Sequence, residues 1–123
     1  MGSCTEAEVS CYVLSRVITV YDDYAIIDTG FLAISKDSPE LNFGKVVSHK
    51  DLFIAGMSQE AGKLKMTNKE GRKMTDILKV DDLVKILPAH SCHTAAFHPV
   101  YHLVKNDENG VTVINTLKPC RGW

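Results

Sequence analysis

Apolar and polar positions alternate along most of the chain, and the period is that of strands. Residues 9–20, "VSCYVLSRVITV", are rich in β-branched side chains and predict a long first strand. Asp22 and Asp23 signal a turn, and "YAIID" (24–28) returns as its partner. Gly30 breaks that strand. "FLAIS" (31–35) predicts a short strand or a single helical turn, and "KDSPELNFG" (36–44) a polar loop. "KVVSH" (45–49) and "DLFIAGMS" (51–58) are the next strands. "QEAGKLKMTNKEGRKMTD" (59–76) has the pattern of a hairpin with a charged tip. "DLVKILP" (82–88) alternates cleanly and stops at Pro88. "PVYHLVK" (99–105) and "VTVINTL" (111–117) flank Asn109 and Gly110, a hairpin turn signal. Only "HTAAFH" (93–98) has helical composition, enough for a turn or two. Seven or eight short strands predict a mainly β fold, a small barrel or sandwich.

Composition narrows the setting. The chain has 123 residues, 45% hydrophobic and 24% charged, which fits one domain with its own core. The formal net charge is -1, with no basic run and no aromatic–basic interleaving, so no nucleic-acid partner is expected. No apolar run approaches the roughly 20 residues of a membrane span. The start, "MGSCTEAEVS", lacks the pattern of a signal peptide. Cys4, Cys11, Cys92 and Cys120 form no CxxC pair, and we expect reduced thiols in a cytoplasmic protein.

The candidate chemistry is concentrated in "ILPAHSCHTAAFHPVYHLV" (86–104), which holds His90, His93, His98 and His102 around Cys92. On an extended chain His90 and Cys92, two apart, point to the same side and His93 to the other. Imidazole and thiolate are good zinc ligands, and two of them leave positions open for water or substrate. His98 is an additional candidate ligand, able to fold back toward the pair. His102 sits inside a strand and is expected to be structural, His49 a surface histidine, and Asp81 and Asp82 a turn. Read without further help, the spacing also allows ordinary loop-capping histidines.

Several stretches resemble the C-terminal domain of the D-serine dehydratase and D-threonine aldolase family, in that family's order. These are "VLSRVI" (13–18), "IIDTGFLAISKD" (26–37), "MSQEAG" (57–62), "LKVDDLVKILPAHSC" (78–92), "YHLV" (101–104) and the closing "RGW". The family's enzymes depend on pyridoxal phosphate and share the alanine-racemase type of fold. The resemblance implies zinc on His90 and Cys92, and the cysteine favours the dehydratase side over the aldolase side. It implies a lyase that converts D-serine to pyruvate and ammonia. The family's cofactor lysine lies in an N-terminal (β/α)8 barrel, and no lysine here, Lys36 included, matches it. The chain is therefore expected to comprise the β domain without the barrel, to be inactive alone, and to need a barrel domain or a second copy as partner. Catalytic residues are expected outside the chain. Three matched positions depart from the family: Ala89 replaces an asparagine, Ala61 a histidine and Asp81 a glycine. These losses motivate a second reading, a free-standing metal-, ligand- or protein-binding module. A third reading, a zinc hydrolase on His90, Cys92 and His98, lacks a general base.

Overall fold

The computed structural model describes residues 4–38, 42–105 and 112–120. The alternation of the first predicted strand becomes β1 (Val13–Val20), in which Ser15 and Val17 are buried while Leu14, Arg16 and Ile18 face out. The strand starts later than the pattern, because its ladder with the strand at Leu83–Pro88 ends at the pair Val13–Ile86. Residues 9–12 have the composition of a strand but precede β1.

After the Asp22–Asp23 turn, β2 (Ala25–Ile27) pairs back on β1. Then come β3 (Gly44–Val46), β4 (His49–Met57), β5 (Gly62–Met66) and β6 (Leu83–Pro88). These six strands close into an antiparallel barrel in the order β1-β2-β5-β4-β3-β6. Closure leaves no free sheet edge, which settles barrel over sandwich. Inward side chains of alternate positions fill it: Val17, Ile27, Leu52, Ile54, Leu64 and Ile86 are all fully buried.

The segment 59–76 is not the hairpin that its pattern suggests. Residues 59–61 turn β4 into β5, and β5 pairs with β2 and β4. Beyond β5 the chain turns through Glu70 and Gly71, both at positive φ, into a 3-10 turn at Met74–Asp76. Met74 and Leu78 are buried, and their apolar surface is better satisfied as a plug of the barrel than as a second exposed strand.

Residues 31–34 form one helical turn: the amides of Ala33 and Ile34 both donate to the Gly30 carbonyl, at 3.0 and 3.2 Å. The turn docks on the β4–β5 connection, where the Phe31 and Leu32 amides donate to Ser58 and Gln59. Gly30 permits this approach. A Cβ there would collide with the Gln59 carbonyl and lie 2.6 Å from the Ala61 nitrogen. The docking fixes the path of Ser35 to Asp37, which leads to the site.

Asp81 has φ 73, a left-handed conformation, at the position where the family resemblance expects glycine. Aspartate tolerates this region better than most residues because of its short polar side chain. Asp81→Val is therefore expected to cost about 1–2 kcal/mol in a denaturant titration. Asp81→Gly should cost nothing beyond the exposed 3.4 Å Arg16–Asp81 pair. Equal stability of the two variants would contradict the strain argument.

The chain continues into α1 (Ser91–Phe97) and then β7 (Tyr101–Val104) and β8 (Val113–Leu117), a separate two-stranded antiparallel sheet. The turn expected at Asn109 and Gly110, the closing "RGW" and part of the 36–44 loop lie outside the described residues.

Candidate metal centre

β6 ends at Pro88, and the next amide, Ala89, donates to the Phe43 carbonyl at 3.1 Å. His90 follows in extended conformation as the N-cap of α1. Its carbonyl accepts both the Thr94 amide (3.2 Å) and the Thr94 hydroxyl (2.9 Å), and Thr94 is buried. Tyr101 Oη donates to Ala95 O at 2.7 Å, so β7 anchors the helix from below. These bonds hold a helix that is too short to be stable on propensity alone.

The backbone places His90 between two partners. Its Nδ1 lies 3.0 Å from Asp37 Oδ2, and its Nε2 lies 2.5 Å from Cys92 Sγ. A carboxylate only accepts, so Nδ1 donates its proton to Asp37 while Nε2 faces the sulfur. This is the arrangement in which a carboxylate orients a metal-binding imidazole. His90 is half-buried, whereas Asp37 and Cys92 are exposed.

His93 does not point away, as an extended chain would require. Residues 91–97 are helical, so His93 stands one turn from His90, with ring centroids 4.2 Å apart and planes 30° apart. Its Nδ1 lies 3.2 Å from Ser35 Oγ, and Phe97 stacks behind it at 6.5 Å. Ser35 Oγ also accepts the Asp37 amide at 3.0 Å, so one buried hydroxyl ties the loop to the helix. One ligand atom each from Asp37, His90 and His93 lie within 4.8 Å of one another, the group of metal-competent side chains found among the described residues.

His98 is placed elsewhere. Its Nε2 donates to the Ala33 carbonyl at 2.8 Å, which ties the end of α1 to the 31–34 turn. His102 faces Thr116 across the β7–β8 sheet at 3.5 Å, and His49, which begins β4, contacts Ser48 Oγ at 2.9 Å. Sequence reasoning did not single out Asp37 or Ser35, and it set His93 on the side away from His90 and Cys92. The helical composition of 93–98 is the signal that places His93 beside His90.

The imidazole, thiol and carboxylate groups around His90 are of the types that Zn2+ takes, so the residues present fit a metal of that kind. The four cysteines are free and exposed. Among the described residues no helix is long and apolar enough to cross a membrane.

The chain is similar to known proteins over nearly all of its length. The profile of the family described as "Putative serine dehydratase domain" matches residues 10–104. D-serine dehydratase from Dictyostelium discoideum is 31% identical over all of this chain and 33% of its own length. The solved D-threo-3-hydroxyaspartate dehydratase from Delftia sp. HT23 superimposes with a TM-score of 0.80 at 26% identity, over 99% of this chain and 35% of that one. Two variants of a D-threo-3-hydroxyaspartate dehydratase, each 25% identical, match with TM-scores of 0.80 and 0.81. One has a cysteine replaced by alanine and is metal-free; the other has a histidine replaced by alanine. The two replaced residues are two apart there, as His90 and Cys92 are here. The chain spans about a third of the length of the curated relatives it matches. With the profile covering most of the sequence, the chain belongs to the serine dehydratase domain family.

Proposed function

We propose that this chain is the metal-bearing C-terminal domain of a D-serine dehydratase-like lyase, with Zn2+ held by His90 and Cys92. The observation that carries this reading is the clamped imidazole: His90 sits between Asp37 and Cys92 with Nε2 facing the sulfur. Asp37 keeps the proton on Nδ1 and so keeps Nε2 available as a ligand. Cys92 contributes a thiolate whose negative charge offsets that of the dication. Two protein ligands leave coordination positions open on the exposed side, toward which a substrate can approach. Bound there, Zn2+ would supply Lewis-acid assistance to departure of the substrate's β-hydroxyl. Pyridoxal phosphate, carried by a barrel domain, would supply the electron sink for the substrate's α-carbanion. The lysine that holds this cofactor and the group that removes the α-proton belong to that domain, so this chain is inactive alone. Free exposed thiols suit the reducing cytoplasm.

The test is reconstitution. The chain is mixed with the remaining two thirds of a relative such as the Dictyostelium enzyme, and pyruvate is assayed from D-serine. Pyruvate is expected only from the mixture, and not when Cys92→Ala or His90→Ala replaces the native chain. A well-folded, associated mixture that stays silent removes the reading.

A specific surface favours a second reading, a binding module that associates with itself or another protein. Leu103, Val113, Ile114 and Leu117 of the β7–β8 sheet are each about half exposed, at 45, 53, 58 and 49%. Large apolar side chains left exposed on one small sheet are what an interface would cover. A strict monomer in light scattering, with no partner that co-purifies in stoichiometric amount, argues against it.

A further inference from the structure

The first turn of α1 sets His93 beside His90, and nothing in the dehydratase reading uses it. We propose that His93 is a further protein ligand to the metal that His90 holds, so that this chain retains its metal without the rest of a dehydratase. The inference rests on that reading and deepens it.

Three observations support it. The two imidazoles face each other at 4.2 Å, tilted by 30°. Each turns Nδ1 toward the same loop, His90 to Asp37 Oδ2 at 3.0 Å and His93 to Ser35 Oγ at 3.2 Å. Both rings therefore turn Nε2 away from the loop, and Cys92 Sγ lies on that side beside His90 Nε2. Finally, Asp37, His90 and His93 offer ligand atoms within 4.8 Å of one another.

An exposed histidine in a helix is ordinarily solvated and free to rotate. His93 is exposed, yet its ring is held by the hydroxyl of Ser35, which is only 4% exposed, and is backed by Phe97. An imidazole held in place next to a second imidazole is preorganised for a borderline dication. With His93 beside it, His90 belongs to a group of three metal-competent side chains, the usual number of protein ligands in a zinc site that keeps a position open.

The experiment is a metal titration of the isolated chain, which has a buried core of its own. The protein is stripped of metal and titrated with Co2+ and Zn2+ against a chromophoric chelator. One equivalent is expected to bind. His93→Ala should weaken binding by at least about tenfold, on the scale at which single ligand and supporting residues act. Its circular dichroism in chelator should match that of the native chain, because the side chain is exposed and outside the core. His102→Ala, which faces Thr116 across the β7–β8 sheet, should bind as the native chain does. Native affinity in His93→Ala overturns the inference and leaves the dehydratase reading intact. So does a native chain that binds no metal alone, because a two-ligand site completed by another domain remains consistent with that outcome. Binding that needs His93 but shows no Cys92-dependent thiolate-to-Co2+ band supports the inference and removes the ligand pair of the dehydratase reading instead.

Discussion

Leu64→Ala is expected to lower the unfolding free energy by roughly 2–5 kcal/mol. Leu64 is fully buried at the centre of β5, where it pairs with Ala25 of β2 and Ile54 of β4. Truncation removes its apolar contacts from both neighbouring strands. A closed barrel cannot collapse around the void, since its strands are held by ladder hydrogen bonds on both edges. The loss is a large share of the roughly 5–15 kcal/mol that stabilises a typical domain. A guanidinium titration should show the midpoint fall while the slope is kept. Leu14→Ala, on the outer face of β1 and 46% exposed, should change stability by no more than about 0.5 kcal/mol. Similar losses for the two leucines would contradict the placement of the core.

The second large effect concerns the metal. Asp37→Ala is expected to weaken Zn2+ or Co2+ binding by about 10–100-fold, the range found when a residue orienting a metal-bound histidine is removed. The carboxylate 3.0 Å from His90 Nδ1 holds both the tautomer and the ring orientation. Without it the imidazole can rotate, and its proton can sit on Nε2, where it blocks the metal. Asp37→Asn keeps an acceptor oxygen and should fall between the native protein and alanine. Because Asp37 is exposed, melting temperatures compared in excess chelator should agree. The chelator matters, since bound metal would itself raise apparent stability in proportion to affinity. Unchanged affinity in Asp37→Ala would mean that the contact does not orient a ligand.

Strands with regular alternation were legible from their residues alone. β1, β6, β7 and β8 follow from period-two patterns, because one face of each must be satisfied by core or partner. The limits of these strands were less legible. Residues 9–12 alternate as well as 13–20 do, but the β1–β6 ladder stops at the pair Val13–Ile86, a limit that local pattern does not specify. The 59–76 segment misled for a related reason. Its charged middle reads as the tip of a hairpin, whereas Met74 and, beyond the segment, Leu78 reach the core from a 3-10 turn and the loop after it.

The site divides in the same way. His90 and Cys92 stand out in the sequence because soft and borderline ligands two residues apart are chemically conspicuous, and "DTGFLAISKD" and "PAHSC" tie them to a family. Their partners do not stand out. Asp37 and Ser35 are 53 and 58 residues from His90 and His93, and only the docking of the 31–34 turn brings them there. His93 changes sides when residues 91–97 coil instead of extending, and that choice is made by Thr94 and Tyr101 bonding to carbonyls at the start and middle of the helix. His98, a candidate ligand by spacing, is committed to the Ala33 carbonyl. The sequence by itself thus determined the β class, the family and the ligand types, all of which depend on local pattern and residue chemistry. Tertiary structure alone decided barrel closure, strand limits and which side chains surround His90, because each depends on contacts between residues far apart in the chain.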